Sequence, residues 1–353
     1  MSKVYFVKCA REETDESLAE KLITLINRES LFDFIEEKDM VAVKTHFGES
    51  TLSGYPRPVF LKKIGEAVRG RKALPFMTET STLYKGNRDN ALIHIEHANR
   101  QGFGFENTGM SIIMADGMFG DEEIDVPVKG KLYSSVKIAS LISKVQGFIC
   151  VSHFTGHMLA GFGAAIKNMG MGCASRRGKM VQHSTAKPAI AGALCTKCGQ
   201  CVMWCPTGAA MMGDDSAFID QDKCIGCGEC LAVCRFDAVK YNWGATYEEL
   251  QKKIVEHALG VYIASEGKSI YINILTRISK NCDCMSDYEN ICPDIGVLVS
   301  SDPVAIDSAS LDLVEKYSGK KVSDIAHDIP YRFQVDYADE IGFCSSKYEL
   351  VEI

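Results

Sequence analysis

The chain has 353 residues, 46% of them hydrophobic and 24% charged, and a formal net charge of −7. That length exceeds what one small core needs and fits two domains. The acidic balance argues against nucleic acid as a partner, and no apolar run reaches the roughly eighteen residues of a membrane helix.

The opening Met1-Ser2-Lys3-Val4-Tyr5-Phe6 runs straight into charged residues without an apolar signal core, so a reducing cytoplasmic location is expected. From there, strand-like and helix-like patterns alternate. They predict an α/β fold with a largely parallel, doubly wound sheet. Predicted strands are Val4–Lys8, Met40–Lys44, Pro75–Thr78, Ser111–Met114, Gly147–Ser152, Ile270–Ile274 and Ile295–Val299. Predicted helices are Asp15–Ile26, Val59–Val68, Asn90–Asn99, Ser134–Ser143, Tyr247–His257 and Pro303–Tyr317. Asp302 before Pro303 is a strong helix start. Residues 1–189 and 241–353 read as two parts of one α/β domain, and residues 190–240 as an inserted α+β unit. Lys187-Pro188 and Asn242-Trp243-Gly244 look like the seams.

Polar residues gather after the strands: Thr45 to Glu49, Glu79 to Thr82, Asp116-Gly117, His153 with His157, and Ser300 to Asp302. Ligands of open α/β sheets bind at the carboxyl ends of strands, so these loops define one candidate site. His46 with Glu49 could form an acid/base pair. His153 and His157, four apart, would share one face of a helix and could grip a metal or move protons.

Val126 to Gly213 contains no aspartate or glutamate but ten lysines and arginines. Lys167, Arg176, Arg177, Lys179 and Lys187 cluster there among glycines, a setting that favours an anionic substrate or cofactor. Gly161-Phe162-Gly163 begins like a dinucleotide fingerprint, but Ile166 stands where the third glycine belongs and no acidic residue follows at the needed distance. The usual NAD and ATP modes are therefore disfavoured. Flavin stays open, because many flavin sites leave no short motif.

Eight of the fifteen cysteines fall between Cys195 and Cys234. They form two quartets with gaps of two, two and three residues, the second displaced by 29 from the first. This is the bacterial run for two [4Fe–4S] clusters, in which the fourth cysteine of each quartet ligates the other cube. Cys195, Cys198, Cys201 and Cys234 are thereby assigned to one cluster, and Cys224, Cys227, Cys230 and Cys205 to the second. Arg235, where proline would be expected, places a cation beside a cube, which should raise its potential. Zinc sites rarely place three cysteines in a row at this spacing.

Residues 190–240 resemble a bacterial two-cluster ferredoxin. His153-Phe154-Thr155-Gly156-His157 and Ala165-Ile166-Lys167-Asn168 resemble the domain-of-unknown-function family 362. The resemblance covers nearly the whole chain. It implies an α/β domain carrying a ferredoxin segment and brings no settled activity.

Cys282-Asp283-Cys284 is a further feature. Alternate residues of an extended segment point the same way, so both sulfurs could reach one metal or cluster, with His46 or the His153/His157 pair completing a third centre. They could equally be a redox-active thiol pair or buried structural cysteines. Three functions stay open: an iron–sulfur oxidoreductase acting on an anionic substrate, with Lys167 and Arg176 holding the anionic group and His46, His153 and His157 handling protons or metal; an electron carrier that docks on a redox partner protein or takes electrons from a small carrier; and a metal or cluster maturation factor.

Overall fold

The structure, a computed structural model, describes all residues except 51–53, 85, 184–186, 225–227, 241–245 and 286–287. In chain order the elements are β1 (Ser2–Lys8), α1 (Asp15–Arg28), β2 (Met40–Lys44), α2 (Pro58–Gly70), β3 (Leu74–Glu79), α3 (Ala91–Ala98), α4 (Phe105–Thr108), β4 (Ile112–Met114), β5 (Glu123–Pro127) and β6 (Ser135–Ala139). They continue as β7 (Gly147–His157), β8 (Gly161–Gly163), α5 (Ala165–Gly170), α6 (Arg176–His183), β9 (Ala189–Ile190), α7 (Gln200–Met203), β10 (Ala210–Met212), β11 (Ala217–Ile219), α8 (Glu229–Val233) and β12 (Val239–Lys240). Last come α9 (Tyr247–Ala264), β13 (Ser269–Ser279), β14 (Gly296–Ser300), α10 (Pro303–Ser318), α11 (Val322–Ile325), α12 (Phe333–Glu340) and β15 (Tyr348–Glu352).

The central sheet runs β15-β1-β14-β13-β7-β2-β3-β4, with β8 paired to the far end of β7. β13, β7, β2, β3 and β4 are parallel neighbours, whereas β14 lies antiparallel to both β13 and β1. Alternation along each strand feeds two cores, as a sheet covered on both faces requires. Val41, Val43, Ile149 and Val151 pack with Leu18, Leu22, Phe60 and Ile64 of α1 and α2. Ala42, Phe148, Cys150 and Tyr271 pack with Leu250, Ile254, Val304 and Ile306 of α9 and α10. Asp302 caps α10 as expected, accepting from the Val304 and Ala305 N–H groups at 2.9 Å.

Two expectations are overturned. Ser134–Ser143 is not a helix: Ser135–Ala139 is a strand followed by a 3-10 turn, Ser140–Lys144. Val136 and Ile138 are buried while Ser135 and Lys137 face outward, a period of two that pairs with β5. Ser300 to Asp302 does not belong to the carboxyl edge of the parallel strands. Because β14 runs backward, its end lies beside the start of β1, where Asp302 accepts from the Ser2 hydroxyl at 2.7 Å.

Residues 189–240 build a small unit with its own core of Cys201, Ala210, Ala217, Cys230 and Val239. β9 pairs with β12 where the chain enters and leaves it, and β10 pairs with β11. The Asn242-Trp243-Gly244 seam lies outside the described residues.

One buried carboxylate organises the α9 side. Glu256 accepts from the backbone N–H groups of Lys131, Leu132 and Tyr133 at 2.8 Å and from the Tyr337 hydroxyl at 2.6 Å. A side chain at Gly130 would meet that carboxylate at 2.1 Å. Glu256→Ala strands all four donors and is expected to lower unfolding free energy by about 3 kcal/mol. Chemical denaturation checks this; an unchanged midpoint would refute it.

Candidate functional site

A cavity of about 300 Å³ opens where the carboxyl ends of β2, β3, β7 and β13 meet. Glu79 and Asn168 line it and are held from behind by a buried ammonium. Lys44, with no exposed surface, donates to Glu79 at 2.7 Å and to the Asn168 side-chain oxygen at 2.7 Å. Asn168 in turn donates to the Val151 carbonyl and the Ser152 hydroxyl at 3.0 Å. One hub thus ties β2, β3, β7 and α5 together.

On one wall, His46 and Glu49 do not meet as an acid/base pair, because Arg88 stands between them. Arg88 donates from Nε to Glu49 at 2.8 Å, and its Nη1 lies 2.7 Å from His46 Nε2. His46 Nδ1 accepts from the Gly48 N–H at 2.9 Å. Burial, with Arg88 and Lys44 adding to it, holds His46 well below the usual histidine range, so the imidazole is neutral.

His153 and His157 share no helix. β7 runs on through His157, and four residues of strand separate the two by about 13 Å, too far for one ion. His153 has an acceptor at each nitrogen: Asp283 at 2.9 Å from Nδ1 and the Thr276 carbonyl at 2.8 Å from Nε2. It anchors the 282–284 loop to the sheet. His157 accepts at Nδ1 from the Leu159 and Ala160 N–H groups, which leaves its proton on Nε2. Burial, then Lys167 and His183, keep His157 well below the usual range.

Cys282 and Cys284 are joined as a disulfide on the cavity wall. Among the described residues the expected third metal centre is not assembled there: the sulfurs are bonded to each other, and the nearby imidazole of His153 is taken by Asp283.

The basic cluster divides. Lys167 and Lys179 line the cavity. Arg176 is buried and donates to the Thr82 and Asp89 carbonyls. Arg177 pairs with Glu123 and with Glu229 of α8, and Lys187 reaches the Gln221 carbonyl. Lys179 donates to the Thr80 hydroxyl at 2.5 Å and the Ala174 carbonyl at 2.7 Å. Lys167 has no ion pair among the described residues, and burial pushes it down to about 8 against the pull of Asp283. Burial likewise brings Lys179 to about 8, opposed by Asp116 and Glu79, and His183 to about 4. Asp116, which accepts from the Ser81 N–H just behind the cavity, is raised by burial to about 6. The glycines of the broken fingerprint answer to packing: Gly161, at φ +77°, lies against the Tyr331 backbone, and a side chain at Gly163 would press on Lys167.

Sequence reasoning missed Lys44, Tyr84, Arg88 and Asp283. The signal for Lys44 was present: a charge ending an otherwise apolar strand must find a buried partner. Arg88 sits in a polar loop whose sequence gives no sign of where it turns.

In the small unit, Cys195, Cys198, Cys201 and Cys234 line one cavity, and Cys205, Cys224 and Cys230 line another. Cys227 lies outside the described residues. The Ala217 and Ala210 N–H groups donate to the sulfurs of Cys195 and Cys205 at 3.5 and 3.3 Å. Burial would raise Cys205, but the backbone donors of Ala210 and Thr207 outweigh it and lower the thiol, as suits a thiolate ligand. Four sulfurs spread round a void is a donor set that fits an iron–sulfur cube. Arg235 is exposed and lines neither cavity.

The family model described as a domain of unknown function, DUF362, matches residues 41–312. The chain belongs to that family. It also carries a ferredoxin-like segment. Pyruvate synthase subunit PorD of Methanothermobacter marburgensis is 35% identical over 78 residues, 22% of this chain and 89% of that protein. A ferredoxin-like protein in the vnf region of Azotobacter vinelandii is 46% identical over 54 residues, 14% of this chain and 83% of that protein. A selenate reductase subunit of Mesobacillus selenatarsenatis is 35% identical over 66 residues, 18% of this chain, and the chain spans only 23% of its length. Among solved structures, a Thermotoga maritima protein gives a TM-score of 0.46 at 12% identity, covering 87% of this chain and 59% of that one. That score carries no functional reading. Within the DUF362 chain, the cysteine-rich segment is thus similar to ferredoxins and to iron–sulfur subunits of redox complexes. No helix among its described residues is long and apolar enough to cross a membrane.

The unpaired ammonium has a measurable consequence. Between about pH 8 and the ordinary lysine value near 10.4 the unfolded chain binds more protons than the folded one, so stability from Lys167 rises with pH across that window. Lys167→Met is expected to raise the Tm of ligand-free protein at pH 7, with the gain fading towards pH 10. A lower Tm at pH 7 would show that the ammonium is paired.

Proposed function

We propose that the chain moves electrons through two [4Fe–4S] clusters to or from an anionic substrate or cofactor bound in the cavity at the carboxyl edge of the sheet. Bound clusters supply one-electron transfer. Cys195, Cys198, Cys201 and Cys234 would hold one, and Cys205, Cys224, Cys227 and Cys230 the other.

The observation that carries this reading is a shared wall. Gly228, beside the Cys205–Cys224–Cys230 cavity, packs against Met180 of α6 so closely that a side chain there would meet Met180 at 2.9 Å. The same helix presents Lys179 and His183 to the large cavity. One helix, about 10 Å across, therefore separates the second cysteine set from the substrate site. Cys198 of the first set is exposed, which suits exchange with an outside donor, either a redox protein or a small carrier.

Within the large cavity each residue has a task. Lys167 and Lys179 hold the anionic group, and the neutral imidazole of His157 hands over or takes up protons at Nε2, whereas both nitrogens of His46 are engaged by Gly48 and Arg88. Glu49 holds Arg88 against His46. His153 lines the cavity with both nitrogens engaged, so it positions the 282–284 loop.

Iron and sulfide content with EPR of anaerobically purified, dithionite-reduced protein tests the clusters. About eight irons are expected. Cys195→Ser should remove one EPR signal and Cys224→Ser the other, and retention of all iron by either variant would refute the pairing. Lys167→Met should weaken protection of the protein by anions in thermal-shift assays while leaving both EPR signals unchanged.

A further inference from the structure

We propose that Cys282 and Cys284 form a reversible two-electron couple in the cavity, a disulfide that opens to a dithiol when the chain is reduced. This rests on the electron-transfer reading above and deepens it.

A structural staple is a poor account of this disulfide. A crosslink spanning a single residue removes little entropy from the unfolded chain, since that gain grows with the loop enclosed. The loop is also fixed without it. Asp283 binds His153, the Asn281 side-chain oxygen lies 2.9 Å from His327 Nε2, and the Ser279 hydroxyl donates to the Asn281 carbonyl at 2.7 Å. The position is that of a reactive pair. Cys282 is 7% exposed and Cys284 more so, both on the cavity wall, so one sulfur is accessible and its neighbour sheltered. Lys167, without an ion pair among the described residues, stands in the same cavity, and a nearby cation favours the thiolate that disulfide chemistry requires.

The step balances. The S–S bond takes two electrons, delivered singly by a low-potential iron–sulfur donor, and two protons from the cavity. The bond breaks and two S–H groups form. The reverse step releases the pair of electrons together. The couple thereby converts one-electron delivery into two-electron chemistry on the anionic ligand.

The test is differential alkylation of anaerobically purified holoprotein before and after dithionite, with the modified cysteines located by peptide mass spectrometry. Before reduction Cys282 and Cys284 should resist the first reagent; after it both should react together. The Cys224→Ser protein should lose the dithionite-dependent alkylation yet regain it with a phosphine reductant. Equal alkylation in both redox states overturns the proposal, as does a non-iron metal that Cys282→Ser releases. Iron content and EPR on the same samples report separately on the clusters. If the clusters are absent, the parent reading fails; if they are intact and the pair is inert, only the couple fails. Should Cys224→Ser not fold, the two wild-type states still decide.

Discussion

An ammonium shut away from water must keep its counter-charge, and that requirement holds the cavity floor in place. Lys44 and Glu79 stand one register position apart at the ends of two adjacent strands, and Asn168 joins them from α5. Removing either charge alone would leave the other buried and unpaired, a loss of about 3–5 kcal/mol. Because Asn168 also grips β7, the pair fixes the helix that carries Lys167. The groups assigned to the ligand are placed relative to this hub, of which Glu79 and Asn168 themselves line the cavity.

The cavity is electropositive in a chain that is acidic overall. Lys44 is balanced by Glu79, and Arg88 by Glu49. Lys167 and Lys179 remain without ion pairs among the described residues, and burial holds His46, His157 and His183 below the usual histidine range. Of the carboxylates on the same wall, Glu79 is taken by Lys44 and Asp283 by His153, so two ammoniums without ion pairs bias the local field towards the anion proposed above. Holding two lysines near 8 is the cost of that selectivity in the empty protein, and a bound anion would return them towards their ordinary values.

Much of this architecture is legible in the chain. Apolar runs such as Val41–Val43 and Phe148–Val151 carry the length and bounding signals of buried strands, and the loops after β2, β3 and β7 do converge. The failures share a cause. The direction of β14 depends on which neighbours it joins, information absent from its own residues, so local pattern puts Ser300 to Asp302 on the wrong edge. His153 and His157 are spaced for a helix, yet the strand simply continues, because Gly156 must lie against the Lys280 backbone, where a side chain would come within 2.3 Å. Local spacing names candidates; strand order decides which of them meet.

The two cysteine systems illustrate the same point at different scales. The quartets between Cys195 and Cys234 announce themselves because a cube demands four thiolates at fixed intervals along one short segment. Cys282 and Cys284 announce only their mutual reach. What gives the pair its meaning is long-range: Asp283 finds His153, 130 residues away, and both sulfurs lie on the wall of a cavity lined by Glu79 and by Lys179 and His183 of α6. Electron chemistry at the pair therefore depends on the sheet as much as on the sulfurs. Loosening the Asp283–His153 contact would leave both cysteines in the sequence while removing the geometry that lets them face the cavity.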